Sequence, residues 1–392
     1  PEIRVARRQG SDRETVIGSL SHRFDRSVRA TAPRALVIGL VIYLAGVLSA
    51  CSRTPEAVQF IGPTMGTTYH VTVPGAESLR ERRAVQSAID RVLVETERHL
   101  STYHATSEIA LLNRDESGAW WDVSPTLFAV LQEARVVSEL TGGSFDVTVA
   151  PLLALWGYEP GGLDASGRTP FQAPTSDQLE QARSSVGYAR LELRNVPRRS
   201  VRKGASGMRL TVDGIAPGYA VDRIATELRI LGHADFIVEI GGEVRAAGQR
   251  PEGGPWRIAI EAPLATGREP LVGLRLRDAA VSTSGDYRDA RVDAAGHRYS
   301  HTIDPRTGRT TSSALTSVTV IDASAMRADA YATALMVLGT EAGLALTQAQ
   351  RVPALFVERT AKPGEWRLVE SPAFAEWREY GGGLIRYDAD MD

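Results

Sequence analysis

The chain has 392 residues, 43% of them hydrophobic and 23% charged, with a formal net charge of −2. That length holds one large domain or two smaller ones with a substantial core. The charges are balanced and the arginines scattered without interleaved aromatics, which excludes nucleic acid as a partner.

Residues 1–50 read as a secretory signal. Arg23, Arg26, Arg29 and Arg34 form a basic region, residues 35–48 are an apolar run, and small residues lead to a processing point. The run is short for a membrane span, which needs about 20 apolar residues. Cys51 is the single cysteine, so no disulfide forms within one chain. It closes Leu48-Ser49-Ala50-Cys51, which resembles the lipobox of bacterial lipoproteins. The resemblance implies cleavage before Cys51, a lipid anchor there, a linker to residue 57, and a domain held on the periplasmic side of the bacterial cell membrane. The alternative is an uncleaved anchor helix in which Cys51 is incidental.

Further on, residues 69–73 alternate as a strand does, after a tight turn at Gly66. Val85, Ile89, Val92, Leu93 and Leu100 lie on one stripe of a helix over 79–100. Ser124 as N-cap and Pro125 at the first position open a second helix that closes at Gly142. Residues 159–174, rich in Gly and Pro, read as a surface loop. A helix over 176–185 and a strand over 191–193 follow. Residues 208–222 read as a strand, a tight turn and a helix opening that ends near Gly232. A helix N-terminus reached through glycines can present N–H groups to an anion, and it can equally be a structural turn. Strands are expected near 236–240, 256–261, 271–276, 279–283 and 315–321, the last strongly alternating. A helix over 326–339 stopped by Gly339, a short helix after Glu341, and a strand near 354–358 complete the core. Mixed strand runs and helix pairs indicate an α+β fold with mixed or antiparallel sheets.

On the 326–339 helix, Asp329 and Thr333 sit at i and i+4, so a carboxylate and a hydroxyl share one face. Beside small alanines this pair suits a hard cation such as Mg²⁺, which takes few protein ligands. The other reading is that Asp329 favours the helix N-terminus and Thr333 bonds back to the preceding turn.

Six stretches occur in order: Met65-Gly-Thr-Thr-Tyr69, Ser101-Thr-Tyr103, Ser144-Phe-Asp-Val-Thr-Val-Ala-Pro151, Asp213-Gly-Ile-Ala-Pro-Gly-Tyr-Ala-Val-Asp222, Ser300-His-Thr-Ile-Asp-Pro-Arg-Thr-Gly308 and Ala328-Asp-Ala-Tyr-Ala-Thr-Ala-Leu335. Together they resemble the ApbE family of FAD:protein FMN transferases over residues 58–360, with 361–392 left as a C-terminal extension. The resemblance implies a T-fold-like catalytic domain and Mg²⁺-dependent transfer of FMN from FAD to a Thr hydroxyl of an acceptor redox protein, with release of AMP. It implies Asp329, Thr333 and Gly214, through its carbonyl, as metal ligands. Met65, Tyr103, Ser144, Phe145, Asp146 and Ile303 match positions that hold FAD; Phe145 and Tyr103 would pack on a flat ring, and Asp146 would accept from a ring or ribose donor. Thr211 and Pro217 stand at two further contact positions where the family usually carries Asp and a Lys or other polar residue. His301 is the candidate general base, since a free pKa near 6.5 suits proton removal at neutral pH; the alternative is a structural bond within its turn. Asp304 before Pro305 reads as a turn residue. Two alternatives to the transferase stay open, an FAD pyrophosphatase and a flavin-binding lipoprotein without catalysis.

Overall fold

The computed structural model describes residues 57–158, 171–380 and 384–385, apart from positions 265, 288, 289, 294, 312, 313 and 363. The expected signal and lipidation segment and most of the expected 159–174 loop lie outside the described residues.

The architecture is built on one eight-stranded sheet. Its strands are β1 (Ala57–Thr64), β2 (Thr67–Pro74), β3 (Phe236–Ile240), β4 (Glu243–Ala247), β5 (Ala279–Gly285), β6 (Leu315–Asp322), β7 (Ala354–Arg359) and β8 (Trp366–Glu370). Their order in the sheet is their order in the chain, and every neighbouring pair is antiparallel. The sheet is thus a meander into which helices and small sheets are inserted, which makes the α+β class concrete. Four helices matter for the site: α1 (Leu79–Leu100), α2 (Pro125–Leu140), α3 (Ala216–Ile230) and α4 (Ala325–Gln350).

Local chemistry explains the helices read from sequence. Ser78 and Glu81 form a capping box at the start of α1, and the Ser124 hydroxyl accepts from the Leu127 N–H with Pro125 in the first turn of α2. Gly339 breaks α4 as expected, with φ of 74°, and the helix resumes to Gln350.

Packing is layered. Val58, Phe60, Val71 and Val238 on one sheet face meet Ile89 and Val92 of α1 and Val221 and Ile224 of α3. On the opposite face Val281, Ile321 and Leu355 meet Trp256, Ile260 and Leu274 of the antiparallel pair Trp256–Glu261 and Pro270–Leu276. Hence β6 is buried along both faces rather than alternating in and out, because α4 covers one side and that pair the other.

Two further expectations change. Residues 208–212 form no strand; Asn113 serves as the segment's partner, donating to the Leu210 carbonyl at 2.8 Å and accepting from the Leu210 N–H at 2.7 Å. The segment expected as an extension after residue 360 supplies the edge strand β8 and a fully buried Phe374, because β7 needs a hydrogen-bonding neighbour and the lower sheet face a cover.

Candidate active site

Two hairpin tips lie side by side. Met65 and Gly66, with φ of 47° and 74°, form the two-residue turn between β1 and β2. This is the type I′ geometry normally reserved for Asn-Gly, so Met65 is held at a conformational cost. Its N–H donates to Glu97 Oε1 at 3.3 Å. The neighbouring tip, Gly241-Gly242 between β3 and β4, approaches so closely that a Cβ on Gly241 would stand 3.1 Å from Thr67 Cγ2.

Beneath these tips α3 and α4 bring the expected metal ligands together. Asp329 is 4% exposed and its Oδ2 accepts from the Gly218 N–H at 3.1 Å. Gly214 faces Thr333 so tightly that a Cβ there would lie 2.7 Å from the Thr333 hydroxyl oxygen. Asp329 and Thr333 lie one turn apart on α4 with the Gly214 backbone close against Thr333, where only glycine fits; a carboxylate, a hydroxyl and a backbone carbonyl are a donor set that would suit a small divalent cation.

Electrostatics support the same reading. Burial pushes the Asp329 carboxyl well above the usual carboxylate range, and the Glu243 carboxylate and then Asp213 push it further. Burial likewise raises Glu243 to about 7, against hydrogen bonds from its own backbone and from Ser282. Ser282 Oγ donates to Glu243 Oε1 at 3.2 Å. Negative charge gathered in a buried place is what a cation would neutralise. Sequence reading missed Glu243 altogether and took Asp213 only as the start of a motif. The signal for Glu243 was a lone carboxylate directly after Gly241-Gly242, too weak to act on without its partners.

The helix N-terminus of α3 is not the open anion cradle that one reading of its glycines allowed. The Ala216 N–H donates to the Val212 carbonyl at 2.8 Å, Pro217 has no N–H, and Gly218 is taken by Asp329. Thr211 binds inward too, its N–H donating to the Val147 carbonyl at 2.8 Å and its hydroxyl accepting from the Asp213 N–H at 3.3 Å.

The other predicted residues divide into three groups. Tyr103 is 70% exposed, on a loop whose Thr102 hydroxyl donates to Asp213 at 3.4 Å, and partial burial near Asp213 raises the pKa of its phenol. Ser144 and Phe145 are buried, and the Ser144 hydroxyl has no hydrogen-bond partner among the described residues. Asp146 is already engaged: Oδ1 accepts from the Thr148 N–H and hydroxyl at 2.8 and 2.7 Å, and Oδ2 from the Tyr188 N–H at 2.8 Å. It acts as the bracket of this turn.

His301 and Ile303 come from a separate loop. Ile303 is buried beside Leu152 and Trp156. Asp304 is a turn residue, accepting from the Gly308 N–H at 2.7 Å and the Arg306 N–H at 2.9 Å. The His301 ring meets the Tyr158 ring edge-on at 6.3 Å, and its Nδ1 is buried without a hydrogen-bond partner among the described residues. Asp286 lies nearby; burial raises its carboxyl while Arg298, Arg359 and His301 pull it down. Strand β5 links the two halves of the site. Ser282 donates to Glu243, and Asp286, four residues on or roughly 13 Å along an extended chain, lies within electrostatic reach of His301.

A family-wide sequence profile, the ApbE family, matches residues 65–356. The FAD:protein FMN transferase of Vibrio cholerae is 38% identical over 313 residues, covering 80% of this chain and 91% of that protein. The Haemophilus influenzae protein of the same name is 33% identical over 334 residues, covering 83% and 94%. Among solved structures, the flavin transferase ApbE from Vibrio cholerae superposes with a TM-score of 0.72 at 36% identity, covering 82% of this chain and 99% of that one. The apo Pseudomonas stutzeri flavinyl transferase ApbE gives 0.71 at 35%, covering 82% and 96%. With the profile matching most of the chain and these relatives covered over nearly their whole length, the chain belongs to the ApbE family.

Proposed function

We infer that the chain is an enzyme that transfers FMN from FAD to an acceptor protein, and we propose that it does so with Mg²⁺ and onto a Thr hydroxyl. The observation that carries this reading is the close approach of Gly214 to Thr333, one turn from the buried Asp329 on α4, inside a fold the chain has in common with named flavin transferases.

In this reading Asp329, Thr333 and the Gly214 carbonyl hold the cation, which when bound neutralises pyrophosphate charge. His301 takes the proton of the incoming hydroxyl. Its Nδ1 is the buried nitrogen, which leaves Nε2 to face the acceptor. The hydroxyl oxygen bonds to the phosphorus of the FMN half, the bond from that phosphorus to the bridging oxygen breaks, and AMP leaves with that oxygen. Met65, Ser144 and Ile303 line the flavin side of the site and the exposed Tyr103 ring closes over the flavin.

The test incubates the protein with FAD, Mg²⁺ and a Thr-bearing acceptor fragment, reading covalent flavin fluorescence on the acceptor and AMP by mass spectrometry. Asp329→Ala should abolish labelling, and His301→Ala should slow it roughly 10²–10⁴-fold. AMP without label would replace the transferase by a hydrolase, and full activity in His301→Ala would remove it as the base.

A further inference from the structure

We propose that Asp222 is the positioning residue of the cation site, the outer half of a reciprocal clasp that fixes α3 against α4. The proposal rests on the reading of Asp329, Thr333 and Gly214 as cation ligands and adds what holds them in register.

Each helix caps the other. The residue before α3, Ile215, offers no side-chain cap, and the Gly218 N–H in its first turn is satisfied instead by Asp329 of α4 at 3.1 Å. In return Asp222 of α3 caps the start of α4. It accepts from the Ala325 N–H at 3.0 Å, from the Met326 N–H at 3.1 Å and from the Ser324 hydroxyl at 2.7 Å. Both carboxylates therefore satisfy orphan N–H groups of the opposite helix. Between them the two backbones touch, since a Cβ on Gly218 would fall 2.4 Å from the Ala325 carbonyl oxygen. Arg245 of β4 pairs with Asp222 and draws in the strand that begins at Glu243.

The ligands are divided across this seam. Gly214 precedes α3, whereas Asp329 and Thr333 ride on α4. A slide of one helix along the other changes the distance between donors, and Mg²⁺ tolerates little deviation from octahedral bonds of about 2.0–2.1 Å. Asp222 meets α4 one turn before Asp329, so it sets that slide without touching the ion. Groups that orient a metal ligand typically cost about 10–100-fold in metal affinity when removed.

The test is calorimetric titration of Mg²⁺ alone into the wild-type protein, Asp222→Asn and Ser324→Ala, with unfolding temperature and circular dichroism recorded for each. The expected result is a dissociation constant raised about 10–100-fold in Asp222→Asn and about two- to tenfold in Ser324→Ala, in proteins still folded at the titration temperature. Hydrogen exchange gives an independent reading: the Gly218 amide, which Asp222 does not touch, should exchange faster in Asp222→Asn because its Asp329 partner has shifted. A folded Asp222→Asn with wild-type Mg²⁺ affinity and unchanged Gly218 exchange overturns the proposal. If Asp222→Asn does not fold, unchanged Mg²⁺ affinity in Ser324→Ala overturns it. Absence of Mg²⁺ binding by the wild type overturns the cation reading itself and the clasp's role with it.

Discussion

Glu243 and Asp329 are carboxylates that folding takes out of water, and their raised pKa values have a measurable consequence. A carboxyl whose folded pKa is raised binds its proton more tightly folded than unfolded. It adds stability below its unfolded pKa and loses that contribution as pH climbs through the folded one. For Glu243 the window runs from the ordinary 4.5 to about 7 and is worth about 3 kcal/mol. Without divalent cation the protein should therefore lose stability between these pH values, and Glu243→Gln should flatten the loss. Urea unfolding at pH 5 and pH 7 checks this; parallel curves for the two proteins would mean that Glu243 carries no such charge cost. Added Mg²⁺ should offset much of the loss, since a bound cation supplies the missing countercharge.

Between elements, the seam of α3 and α4 is the place where one methyl group should do most harm. Gly218→Ala puts a Cβ 2.4 Å from a main-chain oxygen, with no flexible side chain to yield. The helices must separate, which should cost at least about 2–3 kcal/mol and carry Gly214 away from Thr333. A lowered unfolding temperature together with weaker Mg²⁺ binding is expected, and a variant as stable as wild type would show that the helices slide freely. By contrast the exposed face of α1 around Arg80 and Arg83 borders no ligand and offers no comparable sensitivity.

For the molecule as a whole, the expectation that bears on cellular behaviour is the anchor at Cys51. We propose that lipid on this residue holds the enzyme at the membrane, where it meets redox acceptors on the periplasmic side. Cys51→Ser should move the protein from the membrane fraction to the soluble one while leaving labelling activity in the assay intact, because the domain that carries the site begins at β1. Retention in the membrane would indicate an uncleaved helix instead. The chain stays engaged with the domain beyond residue 360: β8 continues the sheet, Phe374 is fully buried, and Leu384–Ile385 pair with the strand Pro270–Leu276.

What the sequence determined by itself was whatever a few neighbouring residues decide. Ser124-Pro125 opened α2, the stripe from Val85 to Leu100 defined α1, Gly339 marked the break in α4, and the i, i+4 spacing put Asp329 and Thr333 on one face. The ordered motifs, read by resemblance, named the family and its chemistry. Strand β1 escaped because Gly62-Pro63 interrupt its pattern, and residues 208–212 read as a strand because an apolar alternation has the same local signature whether its partner is a strand or the side chain of Asn113. Only the tertiary structure decided that Glu243 is buried within the field of Asp329, that Asp286 comes within electrostatic reach of His301, and that α3 and α4 cap one another. These depend on partners up to 111 positions apart, such as Gly218 and Asp329, and a charge's meaning depends on burial and neighbours that no local pattern encodes.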